Sequence, residues 1–303
     1  MISNTLPKIS IITPSFNQVE FLEATIKSIL NQEYPNLEYI IIDGGSTDGS
    51  VEIIKKYAEY LHFWCSEPDG GHYNAVNKGF ENSTGEIMAW LNSDDMYYPW
   101  TLHTVGSIMS QFPQVEWLTS LYPGVWDRDG FCIKMQPISG YSRESFLEGS
   151  HLPGVSNSPS LSCIQQESSF WRSSLWRKAG NQIVNSFSLA GDFDLWTRFY
   201  LYADLFGVVS PLGGFRKHET QRSRNNPDRY IEEAKLSLNE MREKLNWSPN
   251  QMRKLSWRFR LYKIPAIANN QFFINSLGFQ GQKVSKLSLN PKWMIDEYRF
   301  SYT

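Results

Sequence analysis

The sequence predicts an α/β protein built on a mainly parallel sheet that is flanked by helices. Two observations in residues 8–95 support this fold class. Short runs of β-branched and other apolar residues alternate with segments whose apolar residues recur at helical spacing, and this β-α-β-α order is typical of parallel sheets. Polar or glycine-rich segments follow these runs, at the rim where open α/β sheets bind ligands.

The elements of this first part follow from the alternation. A β-branched run at 8–13 ends at Pro14, and the next segment places Phe21, Ile26 and Leu30 at helical spacing. By the same patterns, strands are expected at 37–42, 62–66 and 87–91, and helices at 20–32, 50–60 and 74–81. The loops that follow the four strands are therefore expected at one rim of the sheet.

The second part of the chain is less regular. Gly, Pro and Trp interrupt short apolar runs in residues 115–162, where we expect antiparallel additions and loops that face a ligand. A helix at 189–202 and a strand at 205–209 are expected to return the chain to the sheet. Because helical patterns resume near Arg229, we divide the chain into a main domain at 1–226 and a C-terminal helical extension at 227–303.

Composition narrows the class of protein. A chain of 303 residues with 41% hydrophobic content can bury a large core, and a formal net charge of −2 argues against a nucleic-acid partner. Three scattered cysteines form neither a disulfide framework nor a Cys-based zinc site, which fits a reducing compartment. The first strand begins near Lys8 without an apolar leader, and no segment reaches the roughly 18 apolar residues of a membrane span. We therefore expect a cytoplasmic protein that is soluble or peripheral.

The end of the fourth predicted strand is acidic. The apolar run 87–91 leads directly into Asn92, Ser93, Asp94 and Asp95. Two adjacent carboxylates repel each other unless they share a cation, and their oxygens are the ligands that Mg²⁺ or Mn²⁺ accepts alongside water and substrate phosphates. The alternative is a solvated turn that caps the helix beginning near Pro99. The segment alone does not decide between them.

A glycine-rich turn follows the second predicted strand. Three glycines in residues 43–49 remove side-chain bulk at the strand end, and Asp43 could accept hydrogen bonds from a base or ribose. The turn lacks the G-x-G-x-x-G spacing of dinucleotide sites and the Lys-containing phosphate loop. A bound pyrophosphate must therefore be neutralised in another way, and a metal at Asp94 and Asp95 would supply this.

With these motifs, the sequence resembles the family 2 glycosyltransferases of the GT-A fold. The resemblance covers residues 8–225, with motifs in the family's order at 13–17, 43–49, 77–79, 84–86 and 91–95. It implies a nucleotide-sugar donor, with a UDP-sugar favoured, a divalent metal (Mn²⁺ or Mg²⁺) and inverting transfer. The implied acceptor is a hydroxyl of a glycan or lipid-linked saccharide, in polysaccharide and cell-envelope biosynthesis.

The resemblance also implies roles for individual residues. Asp94 and Asp95 match the end of the family's D-x-D or D-x-D-D metal motif, although Asn92 stands where an aspartate is usual. Asn77 and Lys78 could equally form the solvated face of their helix. The implied nucleotide-sugar-binding residues are Thr13, Pro14, Ser15, Asn17, Asp43, Gly44, Asp69, Asn74, Asn77, Lys78 and Asp94.

Two later segments complete the resemblance. The segment around Asp192 resembles the family's E-D-x-x-L-x-x-R helix start, with Gly191 replacing Glu, and implies Asp192 as the general base. As an alternative, Asp192 is the N-cap of its helix and Asp194 a first-turn carboxylate. Residues 215–218 resemble a Y-R-x-H loop and imply His218 as a third metal ligand beside Asp94 and Asp95.

The C-terminal region holds a separate pattern. Residues 251–263 contain five basic and no acidic residues, with Met252, Leu255 and Phe259 at helical spacing. Such a helix suits the headgroup region of a membrane, which would place the protein at the inner face of a membrane. It could equally pack its apolar stripe against the main domain.

Two other functions are compatible with an α/β sheet that binds a metal and a nucleotide. A sugar-phosphate nucleotidyltransferase would need basic residues in its first loop, and residues 14–19 contain none. A catalytically silent nucleotide-binding accessory protein would explain the departures at Asn92 and Gly191. Hydrolysis of a nucleotide sugar would distinguish an enzyme from the silent protein.

Overall fold

The computed structural model describes residues 6–154, 163–219, 221, 225–261, 264–268, 270–286 and 292–301. Within them, helices and short 3-10 turns surround two sheets. The strands are β1 (Ile9–Ser15), β2 (Leu37–Asp43), β3 (Phe63–Ser66), β4 (Ile87–Trp90), β5 (Met96–Tyr97), β6 (Trp117–Ser120), β7 (Gly124–Trp126), β8 (Cys132–Met135), β9 (Phe170–Arg172), β10 (Phe206–Val208), β11 (Gly213–Arg216), β12 (Phe279–Lys286) and β13 (Trp293–Phe300).

The helices lie between and after these strands. They are α1 (Val19–Leu30), α2 (Ser50–Lys56), α3 (His72–Glu81), α4 (Thr101–Gln111), α5 (Arg143–Leu147), α6 (Ser173–Lys178), α7 (Gly191–Phe199), α8 (Pro227–Lys244), α9 (Gln251–Arg258), α10 (Pro265–Ala268) and α11 (Gln271–Leu277). Short 3-10 turns occur at Ala58–Tyr60 and Gln166–Ser168. No helix in the described part of the chain is long and apolar enough to span a membrane.

The large sheet has the strand order β13-β12-β10-β6-β9-β4-β1-β2-β3. Strands β4, β1, β2 and β3 are parallel, so their carboxyl ends meet at one rim. Strand β9 is antiparallel to both β4 and β6, and β10 runs parallel to β6. A smaller sheet, β5-β11-β7-β8, follows the loop after β4. The fold class predicted from the sequence is thus confirmed.

Both faces of the large sheet are buried. Ile12 and Ile40 contribute to a core with α3 and α7, whereas Ile11 and Ile41 pack on the other face with α1 and α4. This division follows from the alternation of side chains along a strand. Burial on both sides explains why the parallel strands are mostly apolar, with a few buried polar residues such as Ser10 and Glu38, rather than alternating regularly with polar residues.

The predicted elements of the first part are confirmed. The four strands agree with the predicted ranges within two residues. The helix expected at 50–60 ends at Lys56 and continues as a 3-10 turn. In the second part, β7 and β8 form an antiparallel pair within residues 115–162 as expected, and β10 returns the chain to the large sheet as expected. The antiparallel strand β9 lies after that range.

The C-terminal extension is helical only in part. Helices α8 to α11 lie in residues 227–277, but residues 279–300 contain a β-hairpin, so the prediction of a helical extension is wrong for that hairpin. Strand β12 pairs with β10 and thereby extends the large sheet. This long-range pairing, which a local pattern does not reveal, decides the conformation.

Candidate functional site

A cavity of about 990 Å³ opens at the carboxyl ends of the parallel strands. The loops after β1, β2, β3 and β4 line one side of it, and residues from β8, the 3-10 turn before β9, α7 and α8 line the other. Of the residues proposed from the sequence, those that line the cavity are Pro14, Ser15, Gly44, Asp69, Asp94, Asp95, Asp192 and His218. Those that do not line it are Thr13, Asn17, Asp43, Asn74, Asn77 and Lys78.

Asp43 is buried at the end of β2. Its carboxylate accepts hydrogen bonds from the amides of Gly45 and Ser46 and from the hydroxyls of Ser46 and Ser66, at 2.6 to 3.1 Å. Both oxygens thus accept hydrogen bonds that hold the glycine-rich turn. The expected role of Asp43 as an acceptor of hydrogen bonds from a base or ribose stays a prediction.

The turn after β1 is tied to the same glycine-rich turn. Asn17 donates its amide to the Ser46 hydroxyl (2.8 Å), and its side-chain oxygen accepts from the Thr47 amide (3.0 Å). Ser15 lies deeper, and its hydroxyl is buried without a hydrogen-bond partner in the described part of the chain. Ser15 lines the cavity with its hydroxyl buried, whereas Asn17 shapes the loop.

Gly44 and Asp69 define the donor side of the cavity together. A Cβ at Gly44 would lie 3.0 Å from Asp69 Oδ2 and 3.2 Å from the Phe16 ring, so the absence of a side chain keeps this corner open. Asp69 uses its other oxygen to accept the Gly71 amide (2.7 Å). Asp69 is thus the cavity carboxylate nearest to the glycine-rich turn.

The polar residues of α3 have structural partners. Asn77 exchanges two hydrogen bonds of 2.8 Å with the backbone of Ile183, and Asn74 accepts from the Asn185 side chain (2.6 Å). Lys78 forms an ion pair with Glu67. Thr13 lies in the core and accepts from the Tyr39 hydroxyl. These four residues therefore support the cavity wall rather than lining it.

Asp94 and His218 meet across the cavity floor. His218 Nε2 lies 2.8 Å from Asp94 Oδ2, although 124 positions separate the two residues in the chain. Asp95 is buried, accepts the Arg216 amide (2.8 Å) and accepts a hydrogen bond from Asn92 (3.1 Å). Burial and the charge of Asp94 raise the pKa of Asp95 well above its usual range. The adjacent carboxylates therefore differ, because Asp95 anchors a loop while Asp94 faces the histidine.

Asp94 and His218 are both residue types that bind divalent cations, and their direct contact at 2.8 Å places the two groups together. Among the described residues, no group of three His, Cys, Asp or Glu side chains could hold a metal alone. A cation at this pair would therefore need further ligands from outside the protein, such as phosphate oxygens and water.

Asp192 lies in the first turn of α7 and not at its N-cap, which is Ala190. Its carboxylate accepts the Phe193 amide (2.8 Å) and the Tyr230 hydroxyl (3.2 Å). Burial raises the pKa of Asp192 to about 6, against the opposing effect of these hydrogen bonds. Asp192 is thus a cavity carboxylate that ionises close to neutral pH, the range in which a general base is most effective.

Asp194, two residues further, has a structural role. It is buried, accepts Arg198 Nε (2.9 Å) and accepts the Ser237 hydroxyl (3.0 Å) from α8. The alternative that makes Asp194 a first-turn carboxylate agrees with this position. The two acidic residues of α7 therefore point to different surroundings, one to the cavity and one to the helix interface.

Glu167 lines the cavity but is not among the site residues proposed from the sequence. The 3-10 turn Gln166–Ser168 places it beside the acidic strand end, and it is buried. Burial, together with the charges of Asp192 and Asp94, raises the pKa of Glu167 to about 7. The polar run 165–167 was a signal for it, but the turn that aims Glu167 inward has no sequence pattern.

Helix α8 completes the wall behind Asp192. Glu233 accepts the amides of Leu189 (2.8 Å) and Ala190 (3.0 Å), the residues that lead into α7. Although burial alone would raise it, these hydrogen bonds lower the pKa of Glu233 to about 2. Tyr230 and Glu233 both lie beyond the predicted domain boundary at residue 226. Residues of the C-terminal region therefore position the candidate base.

Part of this sequence matches the model of a known protein family. The sequence model of Glycosyl transferase family 2 matches residues 10–117, which include the loops after β1, β2 and β4 but neither Asp192 nor His218. An uncharacterized glycosyltransferase of Mycobacterium tuberculosis is 40% identical over 92 residues, 30% of this chain and 35% of the relative. RT0329 of Rickettsia typhi, another uncharacterized glycosyltransferase, is 28% identical over 217 residues, 71% of this chain and 65% of the relative.

A further relative carries a more specific name. TuaG of Bacillus subtilis, provisionally named for teichuronic acid biosynthesis, is 39% identical over 98 residues, 31% of this chain and 39% of TuaG. The matched segments thus span between 35% and 65% of these curated relatives.

Solved structures show the same fold at low sequence identity. TarS 1-349 from S. aureus, in complex with UDP, gives a TM-score of 0.58 at 16% identity and covers 89% of this chain and 75% of its own. Its complex with UDP-GlcNAc gives 0.55 at 18% identity, covering 72% and 60%. The mannosyltransferase PcManGT from Pyrobaculum calidifontis, with GDP-Man and Mn2+, gives 0.50 at 15% identity, covering 89% and 83%.

Proposed function

We propose that this chain, whose residues 10–117 match the model of Glycosyl transferase family 2, is a glycosyltransferase that transfers a sugar, with inversion, from a nucleoside diphosphate sugar to an acceptor hydroxyl. The observation that carries the proposal is the placement of two groups in one cavity. The Asp94–His218 pair lies at the end of β4, and Asp192 lines the same cavity with a pKa raised by burial to about 6. Inverting transfer needs a general base for the acceptor hydroxyl and stabilisation of the departing diphosphate, and these groups could supply both.

We assign the nucleotide to the side of the cavity formed by the loops after β1 and β2. Ser15, Gly44 and Asp69 line this part of the cavity. We favour UDP because TarS binds UDP and UDP-GlcNAc, although PcManGT binds GDP-Man. Asp43 and Asn17 contribute by ordering the loops.

Asp94 and His218 would hold a divalent cation, Mn²⁺ or Mg²⁺, together with the diphosphate. When bound, such an ion neutralises charge on the departing diphosphate. No lysine or arginine other than Lys134 lines the cavity among the described residues, so the protein offers few cations for that purpose. We therefore infer that metal and nucleotide bind cooperatively, and that Asp95 acts mainly by holding the Arg216 loop.

We assign the proton transfer to Asp192. Its carboxylate takes the proton of the acceptor hydroxyl while the oxygen bonds to the anomeric carbon, and the bond from that carbon to the diphosphate oxygen breaks on the opposite face. Such help from a general base typically contributes about 10² to 10⁴ in rate. Tyr230 and the Phe193 amide orient the carboxylate.

The acceptor belongs on the wall formed by β8, the 3-10 turn and α8. We propose a glycan or lipid-linked saccharide in the biosynthesis of a cell-envelope polysaccharide, because TuaG carries a name from teichuronic acid biosynthesis. Catalysis on the cytoplasmic side of a membrane is part of this proposal.

A thermal-shift screen tests the donor and the metal together. UDP-, GDP- and dTDP-sugars are compared with and without Mn²⁺, since a ligand that binds the native state raises the melting temperature. We expect a UDP-sugar with Mn²⁺ to give the largest shift, and slow hydrolysis of that donor to release UDP. A protein inert toward every donor, with and without metal, would contradict the proposal and favour a silent binding protein.

A further inference from the structure

Charge is unevenly distributed along the chain. Residues 244–295 contain nine lysines and arginines and no acidic residue, whereas the rest of the chain has 20 basic and 31 acidic residues. A near-neutral protein thus carries a strongly basic C-terminal segment within an acidic remainder. Such asymmetry indicates an interaction surface for an anionic partner.

Helix α9 in this segment is fixed by a buried arginine. Arg253 pairs with Glu144 (3.2 Å) and with Glu148, and its Nε donates to the Leu277 carbonyl (2.9 Å). Its guanidinium also lies 4.5 Å from the centre of the Phe279 ring. The side of α9 that carries Arg253 therefore packs against the rest of the protein, and Ser256 is also buried.

The apolar side of α9 consequently faces solvent. Met252, Leu255 and Phe259, at positions i, i+3 and i+7, are 64%, 46% and 66% exposed. The sequence left open whether this stripe packs on the main domain. In the structure it does not, because the three side chains are exposed. Nearby in the chain, Phe272 on α11 is 80% exposed.

Exposed cations surround this stripe. Lys254, Arg258 and Arg260 are exposed, and none of them forms an ion pair with a carboxylate in the part of the chain that the structure describes. Residues 262 and 263 of the predicted segment lie outside that part. We call Met252, Lys254, Leu255, Arg258, Phe259 and Arg260 the basic apolar surface.

We propose that the basic apolar surface binds the headgroup region of a bilayer that contains anionic lipid. Lysines and arginines are attracted to anionic headgroups, and an exposed stripe of Met, Leu and Phe leaves water only if the partner offers an apolar layer beneath its charges. A nucleic acid offers the charge but leaves the stripe in water. A second copy in a twofold contact would oppose like charges. The inference does not depend on the transfer reaction.

Vesicle sedimentation tests this surface on the full chain. Vesicles of phosphatidylcholine alone are compared with mixed vesicles of phosphatidylcholine and phosphatidylglycerol at low and physiological salt. We expect partition into the mixed vesicles only, weakening as salt rises, because exposed charges are screened. Lys254→Gln with Arg258→Gln should weaken partition about 10- to 30-fold, because each lysine or arginine near an anionic surface contributes roughly fivefold. Met252→Ser with Phe259→Ser should weaken it to a similar extent.

Leu236→Ser is the matched control. Leu236 is 59% exposed on α8, but exposed Glu232 and Glu240 lie one turn away on either side. We expect this variant to sediment like the original protein, and since all substituted residues are exposed, all variants should keep their circular dichroism and melting temperature.

The inference is overturned if the protein ignores anionic vesicles at low salt, binds neutral vesicles equally well, or loses no affinity in either double variant. It is also overturned if the protein is a dimer in light scattering that Met252→Ser with Phe259→Ser converts to a monomer, since the surface would then join two copies. Equal loss in Leu236→Ser would show that exposed apolar residues anywhere suffice, and would likewise overturn it.

Discussion

The two sides of the cavity differ in how the chain builds them. The nucleotide side comes from four consecutive strands, β1 to β4, and the loops after the first three lead directly to the next helix. The acceptor side combines β8, a 3-10 turn before β9, the start of α7 and a residue of α8. The first side is therefore specified locally, whereas the second exists only after distant segments have packed.

The difference also appears in the carboxylates. Asp43 on the nucleotide side is satisfied by four hydrogen bonds from within residues 45–66, all of them local to the strand ends. Glu167 and Asp192 on the acceptor side are buried with pKa values raised by burial. A carboxylate that accepts hydrogen bonds from its own loop helps to shape the pocket. A carboxylate whose pKa is raised by burial can gain and lose a proton near neutral pH, as proton transfer requires.

The largest effect is expected at Asp192. Asp192→Asn removes the proton acceptor while keeping the side-chain volume, and should lower kcat by about 10² to 10⁴. Affinity for UDP, measured by calorimetry, should not change because the nucleotide lies on the other side.

Asp194→Asn is the control for this variant. It alters an equally acidic position of the same helix, but one paired with Arg198 and Ser237 away from the cavity. We expect a lower melting temperature and a kcat within a few fold of the original, since a broken buried pair costs stability, about 3 to 5 kcal/mol when a partner is removed outright. Equal losses of kcat in the two variants would contradict the assignment of Asp192.

The next effect is expected on the nucleotide side. Asp94→Asn should lower Mn²⁺-dependent turnover about 10²- to 10³-fold, because a metal contributes several kcal/mol of charge stabilisation. The stabilisation of the variant by UDP should also no longer depend on Mn²⁺ in a thermal shift.

Lys78→Gln tests the same side from outside the cavity. Lys78 was predicted to bind nucleotide, but it pairs with Glu67 at the surface. We expect turnover to change less than about twofold, as is usual for an exposed pair. A large loss of UDP affinity in this variant would show that Lys78 binds the nucleotide. It would contradict the distinction between residues that line the cavity and residues that support its wall.

The extent of prediction from sequence follows the same division. The strands β1 to β4 and the cavity residues Ser15, Asp69 and Asp94 could be predicted because strand ends and turns are set by neighbours in the chain. The sequence could not predict whether Asp43 binds a ligand or its own turn, since either role places an aspartate at this position. Glu167 and the hairpin 279–300 depend on pairing across the sheet, which local patterns do not encode.

A smaller effect is expected on the pH profile. Asp192 must be ionised to accept a proton, so with a pKa near 6 the rate should fall about tenfold for each pH unit below that value. Tyr230→Phe removes a hydrogen bond that favours the ionised form, so the pKa should rise, and the acid limb should move upward by about 0.5 to 1 pH unit. Among the described residues, Tyr230 has no hydrogen bond to Glu167. If the acid limb of the pH profile does not move in Tyr230→Phe, the limb must therefore report a group other than Asp192.

The smallest effect is expected at Glu233, which links the C-terminal region to the acceptor side. Glu233→Gln keeps one acceptor oxygen but loses the charge that receives the Leu189 and Ala190 amides, and should cost about 1 to 2 kcal/mol. Because the pKa of Glu233 is lowered to about 2 in the folded protein, its stabilisation is complete above about pH 4.5 and is lost as the pH falls toward 2. The melting temperatures of the two proteins should therefore differ by a few degrees at pH 7 and converge in acid. A difference that persists unchanged at low pH would mean that Glu233 acts through packing, and the acceptor side would then not depend on charge from α8.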